Sequence, residues 1–521
     1  MFRNSTIAFL LTFCSAFSFV ATATTVYVSP TGLSTAVGTI SNPVNFSTAI
    51  SKSLSGGDSI IVRGGMYNFI SLQQLSKSGN AVSYLQIVAY PGEIPILDYR
   101  SEPYADNSQG VKISGNYVHF KGFIIQGAGD NGLQVTGSNN VIEHCTTRWN
   151  CDAGTQMKTG SNNLILNCDS YENFDYKSGG IVSPDFGGNA DGFADKQYTN
   201  TGTNTYKGCR SWRNGDDGWD SYQKVGNTVY DSCWCYSMAP ATFDMTDNIR
   251  FKTDSATWFY QFKNASGRYV MTNYGNGNGF KLGGLNTLHN ATVHNCISVS
   301  NKVKGFDQNN NAGLMTINNC TSYNNGNNYG FTNNSYGTLV IRNCASLSSK
   351  GSNTFNCLSV TQSYNSWNIG FTCVTGDFVN LDATQMLNDR QPDGSLPEIS
   401  LLHLTPTSGL LDKGIDVGLP FIGKAPDLGA YEYAPDLTAS DPVVVSEAGL
   451  SVSYSSFNHC ISVKGPISSV EIYRITGQEI FTGRFSTDQL NIPVEKFAKG
   501  IYLVNVIMPQ GVSMTKKILI D

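Results

Sequence analysis

The fold is decided by a phrase that recurs as Asn295-Cys296-Ile297-Ser298, Asn319-Cys320-Thr321-Ser322 and Asn343-Cys344-Ala345-Ser346. Four earlier cysteines stand in similar surroundings: Cys145, Cys168, Cys209 and Cys233. The intervals between successive cysteines are 23, 41, 24, 63, 24 and 24 residues. A unit of about 24 residues therefore recurs, and the two long intervals contain insertions or weaker copies.

An asparagine often stands five residues after the cysteine, as at Asn150, Asn173, Asn214, Asn301 and Asn325. Short β-rich runs separated by Asn and Gly, in a repeat of this length, predict a parallel β-helix in an all-β protein. Adjacent coils lie ~4.8 Å apart, so equivalent residues stack into columns. We therefore expect an interior column of free, buried cysteines and a hydrogen-bonded asparagine ladder at a turn.

Composition supports a solenoid or a multidomain chain. The 521 residues exceed what one ordinary hydrophobic core supports, and only 14% of them are charged. The net charge of −5 provides no broad basic surface, so no nucleic-acid partner is expected.

The chain ends predict export and a second domain. Residues 1–23 read as a signal peptide, with Arg3, an apolar run and Ala21-Thr22-Ala23. The apolar run is too short to span a bilayer and no second candidate follows, so no integral membrane segment is expected. We assign residues 24–433 to the β-helix, with a short capping helix in its entry segment, and expect the ladder to stop after Asp427–Glu432. A linker at 434–450 and a small β-sandwich at 451–521 complete the chain.

A second repeated feature is a glycine followed by an aromatic residue, with flanking positions that change from coil to coil. We expect the ring to pack inside and function to reside in the flanking residues. The copies are Asp191-Gly192-Phe193-Ala194, Asp217-Gly218-Trp219-Asp220, Asn278-Gly279-Phe280-Lys281, Lys304-Gly305-Phe306-Asp307 and Tyr329-Gly330-Phe331-Thr332.

Four carboxylates converge in this pattern. Asp191 precedes Asp216 by 25 residues, close to one coil, and Asp217 and Asp220 stand at the same place. Carboxylates this close repel strongly unless a cation lies among them, and Ca²⁺, with six to eight oxygen ligands, suits carboxylates from adjacent coils. The competing interpretation is that Asp-Asp-Gly is turn chemistry alone.

Lys281 occupies the repeat position of Asp220, although 61 residues separate the two. We infer that much of 240–272 loops out, so that the lysine coil stacks beside the metal coils. A nearby divalent cation lowers the pKa of an amine, which makes Lys281 a candidate general base rather than a solvated surface residue.

Three motifs together resemble those of polysaccharide lyase family 9, over roughly residues 25–433. They are Gly188-Asn189-Ala190-Asp191-Gly192-Phe193-Ala194, Asn214-Gly215-Asp216-Asp217-Gly218-Trp219-Asp220 and Gly279-Phe280-Lys281-Leu282-Gly283. The resemblance implies a right-handed parallel β-helix that acts on pectic polysaccharides. It also implies that calcium is held by Asp191, Asp216, Asp217 and Asp220 and that Lys281 is the Brønsted base.

The C-terminal tail, around Gly500-Ile501-Tyr502-Leu503-Val504 and Lys516-Lys517-Ile518-Leu519-Ile520, resembles the sorting domains of exported Bacteroidota proteins. The two resemblances together imply a secreted enzyme, at the surface or in the periplasm of a Gram-negative bacterium. We expect it to act as a monomer on pectin.

The implied reaction is calcium-dependent β-elimination at 4-linked galacturonate. Lys281 removes the C5 proton and calcium on the substrate carboxylate stabilises the developing charge. Three alternatives stay open: a rhamnogalacturonan lyase with the same mechanism, a polygalacturonase-type hydrolase with paired carboxylates, and a non-catalytic surface adhesin. Against the hydrolase, this chain contains no Gly-His-Gly phrase of the kind that accompanies that activity.

Other residues are candidates for substrate contact. Four lysines are interpreted either as subsite residues or as solvated surface residues: Lys196, Lys224, Lys302 and Lys304. Three aromatic residues either stack on sugar rings or pack: Trp212, Trp219 and Tyr222.

Overall fold

The computed structural model describes residues 23–176, 186–199, 202–250, 262–370 and 372–434, and in the C-terminal part 451–455, 460–474, 479–494, 497–498, 500–508 and 513–520. Apart from their residues 23 and 434, the predicted signal peptide and linker lie outside the described residues. The chain divides into two compact units, residues 1–433 and 434–521.

The first unit is a ladder of coils whose short strands form three parallel sheets. Up to the seventh coil the strands are β1 (Thr25–Val28), β2 (Ser59–Val62), β3 (Gly65–Asn68), β4 (Gln73–Leu75), β5 (Leu85–Ala89), β6 (Pro95–Asp98), β7 (Val111–Ile113), β8 (Val118–Lys121), β9 (Ile124–Gln126), β10 (Leu133–Val135), β11 (Val141–Glu143), β12 (Thr146–Arg148), β13 (Thr155–Met157), β14 (Leu164–Leu166), β15 (Asp169–Tyr171), β16 (Phe193–Asp195), β17 (Thr203–Lys207), β18 (Arg210–Trp212) and β19 (Trp219–Asp220).

The remaining strands of this unit are β20 (Gly226–Asp231), β21 (Trp234–Tyr236), β22 (Thr242–Asp244), β23 (Val270–Thr272), β24 (Phe280–Lys281), β25 (His289–His294), β26 (Ile297–Val299), β27 (Lys304–Asp307), β28 (Leu314–Asn318), β29 (Thr321–Tyr323), β30 (Asn327–Phe331), β31 (Thr338–Arg342), β32 (Ala345–Leu347), β33 (Thr354–Phe355) and β34 (Ser359–Ser363). The strands β22 and β23 form an antiparallel hairpin outside the ladder.

Ten coils each contribute one strand to each of the three sheets, and β1 and β34 extend sheet 1 at its two ends. Sheet 1 has the order β1-β2-β5-β8-β11-β14-β17-β20-β25-β28-β31-β34. Sheet 2 has the order β3-β6-β9-β12-β15-β18-β21-β26-β29-β32, and sheet 3 has the order β4-β7-β10-β13-β16-β19-β24-β27-β30-β33. The all-β, parallel β-helical fold predicted from the 24-residue unit is therefore confirmed.

The cysteine column is also confirmed. The seven ladder cysteines are buried between the strands of sheets 1 and 2, and none of the seven forms a disulfide. Their thiols donate to backbone carbonyls, as Cys296 Sγ does to the oxygen of His294 at 3.3 Å. Buried thiols therefore fill this corner of the solenoid as small apolar groups.

The predicted asparagine ladder is present but interrupted. Asn150 Nδ2 donates to Asn173 Oδ1 at 2.9 Å, and Asn173 Nδ2 donates to Asn214 Oδ1 at 2.8 Å. At the next coil Met238 takes the asparagine position, and its backbone N–H donates to Asn301 Oδ1 at 3.0 Å. The ladder thus crosses this coil through the backbone.

The rings of the glycine–aromatic repeat pack inside the solenoid, as expected. Successive ring centroids along this column lie 5.1, 4.6, 5.0 and 5.3 Å apart, and the rings are nearly parallel. The members of the stack are Phe193, Trp219, Phe280, Phe306 and Tyr329. Because the ring points inward, the residue that follows it in the strand points outward on sheet 3.

The first end of the solenoid is covered by the expected helix, α1 (Phe46–Ser51). The side chain of Asn45 caps its N-terminus by accepting from Thr48 N at 2.8 Å. Phe46 and Ala49 are buried, and the Phe46 ring packs edge-on against Phe69. The helix thus closes an interior that would otherwise meet water.

The ladder ends earlier than expected, at Ser363 rather than after Asp427–Glu432. The residues that follow, with 3₁₀ helices at Thr375–Asp377 and Ala383–Leu387, cover sheet 2. The apolar side chains of Met386, Leu401, Leu404, Leu410 and Leu428 pack on the sheet residues Trp234, Ile297, Val299 and Ala345. Outward-facing apolar residues on sheet 2 explain why this segment folds back.

The second unit is an antiparallel sheet of β35 (Ser451–Ser455), β36 (Cys460–Arg474), β37 (Glu479–Pro493), β38 (Gly500–Ile507) and β39 (Ser513–Ile520). The long strand β36 pairs with β35 through its first half and with β38 through its second half. Lys516 Nζ of β39 donates to the carbonyl of Val452 in β35 at 2.6 Å, so the sheet curls around a buried core. The antiparallel pairing was predicted from the alternation of apolar and polar residues.

Among the helices of the described residues, none has the length and apolar character that crossing a membrane requires.

The cysteine column predicts the thiol chemistry of the protein. When the protein is denatured without reductant, all seven ladder thiols should react with a thiol reagent. In the folded protein the reagent should modify Cys373 and Cys460, the two described cysteines that are not fully buried. Recovery of almost no thiol after denaturation would show that the column is oxidised.

Candidate functional site

The turns that precede sheet 3 stack at backbone hydrogen-bond distance. Gly192 N donates to the oxygen of Asp217 and Gly218 N donates to the oxygen of Asn278, each at 2.9 Å. A Cβ on Gly218 would lie 2.3 Å from Cys235 Sγ, so only glycine fits at this position. The side chains of Asp191, Asp217 and Asn278 are therefore held one above the other.

The register of sheet 3 places Lys281 beside Asp220. The strands β19 and β24 are neighbours, with Trp219 opposite Phe280 and Asp220 opposite Lys281. The β22–β23 hairpin lies within the long interval between the two strands, as the predicted loop-out requires.

Three of the four predicted aspartates form one tight group. Carboxylate oxygens of Asp191, Asp216 and Asp217 all lie within 4.8 Å of one another. Asp220 stands beside this group, between two lysines. Its Oδ1 is 3.4 Å from Lys281 Nζ and its Oδ2 is 2.9 Å from Lys196 Nζ.

The two lysines bridge the aspartates. Lys281 Nζ lies 2.9 Å from Asp217 Oδ2, and Lys196 Nζ lies 3.0 Å from Asp191 Oδ2. Four carboxylates therefore meet two ammonium groups, and two negative charges are left uncompensated within the cluster.

Burial makes this imbalance costly. The four aspartates are at most 4% exposed and Lys281 is 8% exposed, so the charged groups of the site are buried. Burial, with repulsion from Asp216, raises the pKa of Asp217 to about 7. Burial and the neighbouring carboxylates raise the pKa of Asp191 well above its usual range despite Lys196.

The lysines respond in the opposite direction. Burial alone lowers the pKa of an amine, but Asp217 and Asp220 outweigh it and raise the pKa of Lys281 well above its usual range. Burial likewise opposes ionisation of Asp220, yet Lys196 and Lys281 outweigh it and lower the Asp220 pKa. Without a cation, Lys281 is therefore a charged partner of the aspartates.

Backbone amides fix the carboxylates in place. Asn278 N donates to Asp217 Oδ1 at 2.7 Å, and Asn189 N donates to Asp216 Oδ2 at 3.2 Å. Asp217 N donates to Asp191 Oδ1 at 3.2 Å. These bonds orient the oxygens before any ligand arrives.

The cluster fits a divalent cation. Its ligand atoms are hard carboxylate oxygens, and two positive charges would balance the cluster. At this site Asn278 Oδ1 is buried and accepts no hydrogen bond, and buried Asp217 Oδ2 has the Lys281 ammonium as its partner. Calcium suits this set because it takes six to eight oxygen ligands in flexible geometry, whereas Mg²⁺ prefers to retain several waters.

Beside the cluster lies a recess of about 360 Å³. Its lining consists of Tyr222, Asn276, Asn278, Lys281, Val303, Lys304, Asp307 and Asn309. The Tyr222 ring is 37% exposed, and its centroid is 5.7 Å from Lys281 Nζ. The recess therefore offers an aromatic face and polar groups next to the amine.

Several candidates from the sequence lie elsewhere or act differently. Trp219 is in the interior stack, and Trp212 stacks on Tyr171 in sheet 2. Lys224 is neither a subsite nor a surface residue, because it is fully buried and its Nζ lies 3.3 Å from Asp195 Oδ1. Lys302 donates to the carbonyl of Gly275 at 2.7 Å.

Sequence reasoning missed the role of two residues at the site. Lys196 was interpreted as either a subsite residue or a surface lysine, yet it is an integral ion-pair partner of the cluster. Asp307 was recognised as part of the repeat but was given no functional role, although it lies opposite Lys281 in β27. The available signal was the repeat alignment, which places Asp220, Lys281 and Asp307 in one outward row.

Comparison with protein families identifies two regions. Residues 26–353 match the family described as Pel9A-like, right handed beta helix region. Residues 455–521 match the secretion system C-terminal sorting domain, which indicates secretion or export to the cell surface.

Individual known proteins are similar to this chain over most of its length. Pectate lyase L of Dickeya chrysanthemi is 34% identical over 417 residues, which cover 78% of this chain and 90% of the relative. The crystal structure of pectate lyase Pel9A matches with 31% identity and a TM-score of 0.66, over 80% of this chain and 97% of that one. A solved rhamnogalacturonan lyase, with 24% identity and a TM-score of 0.63 over 74% of this chain and 97% of that one, shares the fold.

The buried charge imbalance predicts how calcium affects stability. Calcium at a hundred times its Kd should stabilise the wild-type protein by about 2.7 kcal/mol, because only the folded chain presents the site. Asp216→Asn should match or exceed wild-type stability without calcium, since it relieves repulsion on Asp217, but should lose most of the gain on adding calcium. Thermal unfolding with and without calcium measures both effects.

Asp389→Asn is the control for this measurement, because Asp389 is exposed and outside the cluster. It should respond to calcium as wild type does. An equal calcium response in Asp216→Asn would place the cation elsewhere.

Proposed function

The chain belongs to the family of Pel9A-like right-handed β-helix proteins and is a polysaccharide lyase, and we propose that it is a calcium-dependent pectate lyase that cleaves 4-linked galacturonate by β-elimination. The observation that carries the proposal is the contact between the Lys281 amine and a buried group of aspartates from adjacent coils. A base and a cation site are thereby adjacent.

The reaction needs both partners. The C5 hydrogen of a uronate is acidic because it is α to the carboxylate, but its removal creates an enolate-like dianion. Calcium, when bound, supplies positive charge that neutralises the substrate carboxylate and the charge that develops on it. The aspartates Asp191, Asp216, Asp217 and Asp220 are the proposed calcium ligands, which also explains how a chain of net charge −5 holds an acidic polymer.

Lys281 is the proposed general base. Its amine lies at the wall of the recess, where a sugar ring has access to it. The amine must lose its proton before it accepts one from C5. Carboxylates that are bound to a dication attract a neighbouring ammonium less strongly. Calcium at the aspartates would therefore favour the neutral Lys281 amine, which is the form that accepts a proton.

Two further side chains support this arrangement. Lys196 pairs with Asp220 and Asp191, so it keeps Asp220 fixed beside Lys281 while adding charge balance. The Tyr222 ring provides an exposed apolar face at the mouth of the recess, on which the face of a sugar ring packs.

The hydrolase and the adhesin are set aside by membership in a family of lyases. The geometry also disfavours an inverting hydrolase, since its two carboxyl groups stand about 6.5–9.5 Å apart to admit water. Here one carboxylate oxygen from each of Asp191, Asp216 and Asp217 lies within 4.8 Å of the other two.

Export completes the proposal. The sorting domain at residues 455–521 supports export, and we propose that the enzyme acts as a monomer at the surface or in the periplasm of a Gram-negative cell. Pectin outside the cell is then the partner.

The substrate is tested on a panel of purified polymers. Polygalacturonate with calcium should give an unsaturated product that absorbs ultraviolet light, and rhamnogalacturonan backbone should give less. A chelator should abolish the signal and added calcium should restore it. Full activity in chelator, or new reducing ends without the unsaturated product, would contradict the proposed chemistry.

The base is tested by substitution. Lys281→Ala should lower kcat by at least about a thousandfold while calcium and polymer binding persist, because the amine acts only in proton transfer. Lys281→Arg should be nearly as damaging, since a guanidinium remains protonated at any working pH. A Lys281→Arg enzyme with a near wild-type rate would show that the residue only neutralises charge.

A further inference from the structure

β-Elimination needs a second proton transfer that Lys281 does not provide. When the C4–O bond breaks, the departing glycosidic oxygen becomes an alkoxide unless it receives a proton. In galacturonate the C5–H and C4–O bonds point to opposite faces of the ring. A base positioned at C5–H is therefore poorly placed to protonate the leaving oxygen, and a separate donor is required.

The recess beside Lys281 contains one other amine, that of Lys304. Lys304 begins β27, the neighbour of β24, and its carbonyl accepts from Gly279 N at 2.7 Å. The end of β27, Asp307, is the residue opposite Lys281. Lys304 thus enters the recess from the next coil and from the other end of the strand.

The Lys304 ammonium is held in a fixed position. Its Nζ lies 2.7 Å from Asp307 Oδ1, which also accepts from Asn309 N at 3.1 Å. Its aliphatic stem crosses Gly330, where an added Cβ would meet the stem at 2.4 Å. The Lys304 side chain is 22% exposed and that of Asp307 is 5% exposed, so the ammonium remains accessible to a ligand.

The ion pair favours proton donation over carboxylate binding. Asp307 neutralises Lys304, so the pair has no net charge with which to attract an acidic sugar. The ammonium has three N–H donors and uses one on Asp307, which leaves protons for a neutral oxygen. A glycosidic oxygen is such a neutral group until its bond breaks.

Resting on the proposed elimination, we propose that Lys304, positioned by Asp307, is the general acid that protonates the departing glycosidic oxygen. The electrons of the C5–H bond form the C4=C5 double bond, and the C5 proton passes to the Lys281 amine. The electrons of the C4–O bond leave with oxygen, which takes a proton from the Lys304 ammonium. Water afterwards returns a proton to Lys304 and removes one from Lys281, so the step is balanced.

The first test separates catalysis from binding. Lys304→Met keeps the stem and removes the donor, and it should lower kcat about a hundredfold with little change in KM. Lys304→Arg keeps the charge and the partner Asp307 but is a poor proton donor, so it should lose a similar factor. Lys112→Met is the control, on β7 of the same sheet and far from β24.

The second test is chemical rescue. Lys304→Ala opens space beside Asp307, and ammonium chloride should restore part of its kcat. Tetramethylammonium chloride at the same ionic strength carries the charge without an N–H group and should restore nothing.

The outcomes divide clearly. If wild type forms no unsaturated product from any uronate polymer, the proposed function fails. If wild type is active and Lys304→Met retains kcat within about threefold, or loses only in KM, Lys304 is not the acid. Rescue by tetramethylammonium or an active Lys304→Arg enzyme would equally overturn the assignment.

Discussion

Successive coils of the first unit hydrogen-bond to one another in register, about 4.8 Å apart, and each side chain therefore stacks on its equivalents. Residues with apolar or hydrogen-bonding side chains gain from this constraint. The rings of Trp219 and Phe280 stack with centroids 4.6 Å apart, and the Asn173 amide donates to Asn214. The same constraint penalises charge, because equal charges are brought as close as equal rings.

The proposed active site lies where that penalty is greatest. The position before the repeated glycine changes along the solenoid from Asp191 to Asp217, Asn278 and Lys304. The charge of this column thus passes from negative to positive within four coils. The acidic cluster, the Lys281 amine and the recess lie along this column. The proposed cation site and the proposed proton-transfer groups are therefore neighbours on one scaffold.

Much of this arrangement could be predicted because periodicity fixes which residues share a column. The cysteine, asparagine and aromatic columns and the approach of Asp191 to the Asp216–Asp217 pair follow from spacing. The return of Lys281 after a long insertion follows from its position in the glycine–aromatic repeat. Spacing does not reveal which lysines are buried. Lysine is usually a surface residue, so the sequence does not indicate that Lys196 and Lys224 are buried. Their ion pairs form because the side chains point towards buried carboxylates, which spacing alone does not show.

The cover over sheet 2 was missed for a related reason. Residues after Ser363 carry no repeat, so their apolar side chains suggest packing without indicating a partner. Met238 was also missed, because the backbone of the helix tolerates one absent asparagine side chain and keeps its hydrogen bond through the main chain.

The central claim is that a divalent cation completes the charge of the stacked aspartates and frees the lysine. A crystal structure of the calcium-loaded protein tests it most directly. The account predicts an ion bound by oxygens of Asp191, Asp216 and Asp217 at about 2.3–2.6 Å, and a Lys281 amine no longer paired with Asp217. An ion bound elsewhere, or a Lys281 Nζ still 2.9 Å from Asp217 Oδ2 beside an occupied site, would contradict it.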